Sequence, residues 1–231
     1  TGEIGMNLNL YGHAGRWLMV DCGVTFNSPL APQRDGAESV MQAEVLAADP
    51  GFISAQKENL CGIVITHAHE DHIGALPFLW PRFNCPVYCT PFTAEILRRK
   101  LARSGSSQNM PIVEIAPGGT CNIGPFLINW LNITHSIPEP QALLISTPAG
   151  KVFHTADWKM DAAPITGRAF KAPVFKRLAA QGITAMVCDS TNALKPGFSL
   201  SETACYQALY DVIRQEKQRV VVSGFSSNIG R

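Results

Sequence analysis

Thr66-His67-Ala68-His69-Glu70-Asp71-His72 crowds three imidazoles and the Asp71 carboxylate into six residues. The run before it, Gly62-Ile63-Val64-Ile65-Thr66, is short and β-branched, which predicts a buried strand. After it, Ile73, Leu76 and Leu79 fall at helical spacing, and Pro81 is expected to end that segment. The cluster therefore lies where a strand hands over to a helix. Residues two apart in extended chain point to the same side, so His67 and His69 face together, while Asp71 and His72 turn away as the helix begins. This suits two adjacent metal positions, one at His67 and His69 and one at Asp71 and His72. Nitrogen ligands with a carboxylate favour zinc, with manganese as the main competitor. A surface histidine cluster or a capping motif is the plainer reading, but three imidazoles beside a buried strand are costly without a metal.

A pair of ions needs more ligands and a bridge. Of the other histidines, His135 stands at a predicted strand end in Ile133-Thr134-His135-Ser136-Ile137-Pro138. Asp157 follows another strand in Phe153-His154-Thr155-Ala156-Asp157-Trp158, and a carboxylate is the side chain that can bridge two ions. In the company of the first cluster, His135 and Asp157 become candidates. His13 and His154 read as ordinary polar histidines. Asp21, taken alone, reads as a cap at the end of a strand.

Composition bounds the rest. Hydrophobic residues make up 46% of the 231 residues and charged residues 16%, as in a globular chain with a sizeable core. No apolar run is long enough to span a bilayer. The seven cysteines are odd in number and scattered. Cys22, Cys61, Cys188 and Cys205 stand among apolar residues and read as core thiols of a reducing compartment, hence a cytoplasmic protein. Cys85 and Cys89 are not spaced as a CxxC metal pair. A net charge of +1 gives no electrostatic footprint for nucleic acid, though a metal pair supplies local positive charge that a residue count misses.

Along the chain, residues 6–11 alternate and 16–22 run apolar, predicting two strands. Residues 27–33 read as a loop, and 38–59 as weakly patterned with short helices. A short strand at 86–89 precedes an amphipathic helix over 91–102 with a basic outer face. Several short strands fill 112–152. A helix over 173–181, a buried strand over 184–188, a helix from Ser201 and Glu202 to about Glu216 and a last strand over 219–223 complete the pattern. Strands packed with outer helices fit this order.

The succession Asp21, His67-x-His69-x-Asp71-His72, His135 and Asp157 resembles the first four motifs of the metallo-β-lactamase superfamily. The resemblance implies an α/β fold, an αββα sandwich of two packed mixed sheets with outer helices, incomplete at the C-terminus. It implies that His67, His69 and His135 hold one zinc and Asp71 and His72 a second, with Asp157 bridging and Asp21 fixing the histidine loop. Within that superfamily, Gly2-Glu3-Ile4-Gly5-Met6-Asn7, Thr134-His135-Ser136-Ile137-Pro138 and Asp189-Ser190-Thr191-Asn192-Ala193 resemble the ribonuclease J family of the β-CASP group. So do Pro196-Gly197, Ser201-Glu202 and Phe225-Ser226-Ser227-Asn228-Ile229 with Arg231. Residues 1–222 then correspond to the N-terminal part of the hydrolase domain, and 223–231 to the start of a β-CASP domain whose remainder would follow.

That likeness implies hydrolysis of RNA by a hydroxide bridged between two zinc ions, 5′-to-3′ from a 5′-monophosphate, with endonuclease action possible. Asp71, Asp157 and Asp189 would be catalytic, Asp189 by orienting a histidine beyond this chain, and Ser227 would bind the substrate phosphate. On their own, Asp189 reads as a cap of the turn at 190–192, and Ser227 as a helix cap. The second metal position would lack one ligand in this chain. Homo-oligomers are expected of the full-length protein. Two alternatives stand beside this: another hydrolase of the superfamily, such as a thioesterase or lactonase, or a non-catalytic scaffold in an RNA-degrading assembly.

Overall fold

The computed structural model describes residues 5–26, 45–104 and 109–225. The chain divides into two compact units: Thr1–Ala116 with Asn122–Phe126, and Pro117–Cys121 with Leu127–Arg231.

The first unit opens with a hairpin of β1 (Asn9–His13) and β2 (Arg16–Val20), turned by Ala14 and Gly15 at φ 50° and 74°. Successive positive φ angles match the twist of a two-residue hairpin, which explains the glycine there. A two-stranded ribbon follows, β3 (Val24–Phe26) with β4 (Val45–Ala47), then the short helix α1 (Gly51–Ser54) and a 3₁₀ turn at Lys57–Asn59. β5 (Leu60–Val64) carries the predicted apolar run. Next come α2 (Glu70–Ile73), α3 (Leu76–Phe83), β6 (Val87–Cys89), α4 (Pro91–Ser104) and β7 (Ile112–Glu114). The sheet order is β1-β2-β5-β6-β7, parallel from β2 onward. Parallel strands are buried on both faces, so β2 and β5 read as unbroken apolar runs, and Leu18, Met19, Val20, Ile63 and Val64 are fully buried.

The second unit holds most of the remaining elements, residues 122–126 excepted: β8 (Thr120–Ile123), β9 (Phe126–Asn132), β10 (Gln141–Thr147) and β11 (Gly150–His154) lead to α5 (Ala172–Ala179), β12 (Ala185–Val187) and α6 (Glu202–Gln215). The order is β12-β11-β10-β9-β8, with β12 parallel to β11. Alternation in β9 buries Ile128 and Trp130 and leaves Leu127 exposed. The hydroxyl of Ser201 caps α6 by accepting from Ala204 N at 3.1 Å, the role its sequence position predicts. Asp161 joins that cap: its carboxylate, 2% exposed, accepts from Glu202 N at 2.8 Å, Ala163 N at 2.9 Å and Lys159 Nζ at 3.0 Å.

Four expectations change. Pro81 lies inside α3, and Asn84 in the left-handed region ends the helix, its N–H donating to Trp80 O at 2.9 Å. Trp80 and Phe83 are buried on either side of the proline, and their packing outweighs its missing N–H. β12 is an exposed edge strand, with Met186 at 61% exposure, because among the described residues only β11 pairs with it. Residues 219–223 form no strand, and no strand among the described residues pairs with them. Of the cysteines read as core, Cys22 is buried, Cys61 and Cys188 are partly exposed and Cys205 is exposed on α6. None of the seven forms a disulfide.

Backbone contacts in the first unit carry the loop that holds residues 66–72. Cys22 N donates to His72 O at 2.7 Å, Asn7 N to Asp71 O at 3.0 Å and Gly23 N to Asn7 O at 2.9 Å. The approach is so close that a Cβ on Gly23 would meet Asp71 O at 1.6 Å. Since that obstacle is backbone, Gly23→Ala is expected to destabilise the fold by about 3 kcal/mol or more, measured as a lowered urea midpoint. An unchanged midpoint would show that the 71–72 backbone can retreat.

Candidate metal centre

Each unit brings part of the predicted set together. In the first, β5 runs into residues 65–69, and α2 begins at Glu70, so the strand-to-helix handover falls where the sequence places it. His67 Nε2 and His69 Nδ1 converge to 3.1 Å. Two nitrogens on one tetrahedral zinc at ordinary bond lengths lie about 3.3 Å apart, so the pair fits a shared cation. His72 Nε2 stands 3.6 Å from Asp71 Oδ2, a spacing that again suits two ligands of one ion.

The proton positions of two rings follow from one buried carboxylate. Asp21, fully buried, accepts from Thr66 N at 2.9 Å and from the Thr66 hydroxyl at 2.9 and 3.1 Å. Its Oδ2 lies 2.8 Å from His72 Nδ1. A carboxylate accepts, so Nδ1 of His72 carries the proton and Nε2 holds the lone pair. Thr66 spends its only hydroxyl proton on Asp21 and is left as an acceptor toward His67 Nδ1 at 3.1 Å. His67 is thereby held with its lone pair on Nε2 as well. Both Nε2 atoms face the side on which Asp71 and His69 stand, as ligating imidazoles with buried partners commonly do.

Cys22 adjoins Asp21 without competing for a cation. Burial first, then the charges of Asp21 and Cys85, push its thiol up to about 12, so it stays protonated. Cys85 is likewise pushed up to about 12, chiefly by burial. Glu70 points to the other side of α2, where Lys100 of α4 pairs with it at 2.7 Å.

In the second unit, His135 Nε2 lies 3.6 Å from Asp157 Oδ2, both side chains partly exposed. Thr134 pins this pair from behind: its carbonyl accepts from Lys159 N at 2.8 Å, and its hydroxyl from Asp161 N at 3.1 Å. Ala156, at φ 51°, holds a left-handed conformation that a non-glycine residue adopts only under constraint, and it sets the direction of Asp157. Asp189 caps its own turn, accepting from Thr191 N at 2.8 Å and the Thr191 hydroxyl at 2.6 Å. Thr155 Oγ1 accepts from Asp189 N at 3.0 Å, and Trp158 donates to its carbonyl at 3.3 Å. His154 is buried at the end of β11 and His13 half-buried at the end of β1. Ser227 lies outside the described residues, as do Gly2, Glu3 and Ile4.

Residues 16–174 match the family described as β-lactamase superfamily domain. The chain belongs to that family. It has the metallo-β-lactamase fold, and the His and Asp groups described above are candidates to hold a metal ion. Over its whole length it is 45% identical to ribonuclease J of Sinorhizobium meliloti, covering 40% of that protein. It is 36% identical to ribonuclease J of Corynebacterium glutamicum over 99% of the chain and 30% of that protein. The chain thus spans well under half the length of these relatives. A protein of unknown function from Enterococcus faecalis V583 shares the fold at TM-score 0.63 and 17% identity, over 97% of this chain and 58% of that one. No helix among the described residues is long and apolar enough to cross a membrane.

Contributors that escaped the sequence reading include Thr66, quoted in the cluster but given no task, and Asn7, whose side-chain amide donates to Asp71 O at 3.0 Å. For Thr66 the signal was its place between a buried strand and the first histidine. Thr66→Val, which keeps the shape and removes the hydroxyl, leaves a buried carboxylate short of a donor and is expected to cost about 1–3 kcal/mol in urea denaturation. Thr66→Ser should recover most of that loss. Equal stability of all three proteins would remove the hydroxyl from the network.

Proposed function

We propose that this chain is the metal-binding part of a ribonuclease that hydrolyses RNA phosphodiesters. The observation that carries the reading is the agreement between the ligand geometry within each unit and a likeness to ribonuclease J that runs the whole length of the chain. On this reading His67, His69 and His135 hold one zinc and Asp71 and His72 another, with Asp157 as the bridge and manganese able to replace zinc. Bound there, the ions supply Lewis acidity, which activates water at neutral pH and stabilises charge on phosphoryl oxygens.

The chain's own residues do the preparatory work. Asp21 and Thr66 keep the His67 and His72 rings turned and protonated on Nδ1, so that binding requires no tautomer change. Ala156 and Thr134 hold the Asp157 and His135 pair. Asp189, already ordered by its turn, is assigned to orient a proton-carrying histidine supplied from beyond these residues, which would protonate the leaving oxygen. Ser227 is assigned to the 5′-monophosphate of the RNA, which would give 5′-to-3′ direction, with internal cleavage where the strand can enter without its end. Residues 1–222 are the hydrolase part and 223–231 the entry to a second domain. The full-length protein is expected to act in the cytoplasm as a homo-oligomer, a setting that fits seven unbridged cysteines.

Elemental analysis of the purified chain, paired with a 5′-monophosphorylated RNA, tests this. Zinc or manganese should be bound, and His67→Ala should lose metal and lower any cleavage by about 100-fold or more. Metal retained without cleavage would place catalysis in the part of the relatives that this chain does not span. A folded chain that takes up neither metal would overturn the reading.

A further inference from the structure

Asp161 is a buried carboxylate of the second unit that the metal reading leaves without a task. Its donors come from two directions. Oδ2 accepts from Glu202 N of α6 at 2.8 Å and from Lys159 Nζ at 3.0 Å, and Oδ1 accepts from Ala163 N at 2.9 Å. Its own main-chain N–H reaches back to the Thr134 hydroxyl at 3.1 Å. That hydroxyl donates in turn to Lys159 O, while Lys159 N donates to Thr134 O at 2.8 Å, so Thr134 and Lys159 form an antiparallel bridge. Each donor in this set faces an acceptor, and each carboxylate oxygen faces donors alone.

The bridge stands next to both members of the His135–Asp157 pair, whose 3.6 Å spacing suits two ligands of one ion. On one side Asp157 is directed by Ala156 at φ 51°. On the other the chain runs through Lys159 to Asp161, and there the carboxylate fixes it. A plain helix cap would not need this, because the Ser201 hydroxyl already caps α6 through Ala204 N. Nor does α6 bury a face at this joint, since it is exposed from Thr203 onward. What Asp161 adds is a tie between the first residue of α6 and the segment that carries Asp157. We infer that Asp161 is a positioning residue for the His135–Asp157 pair: its carboxylate locks residues 159–163 to α6, and its N–H carries that lock to Thr134 and so to the neighbouring His135. It touches neither ion nor substrate. It limits how far the two ligand atoms drift apart before a cation arrives, so that less order must be imposed when one binds.

This inference rests on the metal reading above, and the test separates the two. Cobalt, a visible stand-in for zinc, is titrated into the metal-stripped chain and followed by its absorption bands. Asp161→Asn keeps the shape, but one of its two ends must now set an N–H against Glu202 N and Lys159 Nζ or against Ala163 N. It is expected to bind cobalt about tenfold more weakly and with shifted bands. Ser201→Ala removes the other cap of the same helix; it should lower the urea midpoint and leave cobalt affinity and bands unchanged. Lys159→Met, which removes one donor from Asp161 and spares the α6 bond, should shift affinity and bands in the direction of Asp161→Asn by a smaller amount, and it decides the matter if Asp161→Asn does not fold. Cobalt binding unaltered in Asp161→Asn or, should that variant not fold, in Lys159→Met, or weakened alike by Asp161→Asn and Ser201→Ala, overturns the inference and leaves the metal reading intact. No cobalt or zinc uptake by the unaltered, folded chain overturns both.

Discussion

A carboxylate with no solvent exposure is costly to bury unless it is given donors, and Asp21 is such a group. Its donors come from one place. Parallel pairing of β2 with β5 brings Asp21 N onto Val64 O at 2.9 Å, which sets the carboxylate against Thr66 N, the Thr66 hydroxyl and His72 Nδ1. Asp21 itself sits at φ 63°, a conformation that asparagine and aspartate tolerate better than most residues. The chain therefore turns just past the end of β2, where Asp21 must face inward. The rest of the candidate site depends on this arrangement: the loop conformation, the two ring orientations and the choice of protonated nitrogen.

The ligand cluster was readable because its members are neighbours in sequence and their directions follow from the strand and helix periods alone. His67 and His69 meet at 3.1 Å, as residues two apart in extended chain should. The supporting residues were not readable, because their work depends on distant partners. Thr66 acts through a residue 45 positions earlier, Asn7 through residues 64 and 65 later, and Asp161 through the cap of α6, 41 residues on. Nothing local in the sequence announces such pairings. The strand misread at 219–223 failed for a related reason. An apolar, β-branched run reports a liking for burial, but a strand also needs a partner with matching free N–H and C=O groups, and a run of residues cannot show one.

Charge offers a last step. The basic face expected on α4 is present, but it is not available as such. Arg98 pairs with Glu114 at 2.6 Å, Arg99 with Glu95 at 2.7 Å and Lys100 with Glu70. These partly exposed pairs contribute little to stability, about 0–1 kcal/mol each, but they cancel the field that a phosphate backbone would feel. With a formal charge of only +1 over the chain, α4 is a poor candidate for an RNA track. Two divalent ions would change the local balance far more than any side chain here, since each adds two charges. Attraction for a phosphodiester would then be confined to the metal positions and would appear with the metal. A substrate would be drawn to the point of reaction by the same groups that act on it, while three cations of α4 are already engaged with carboxylates.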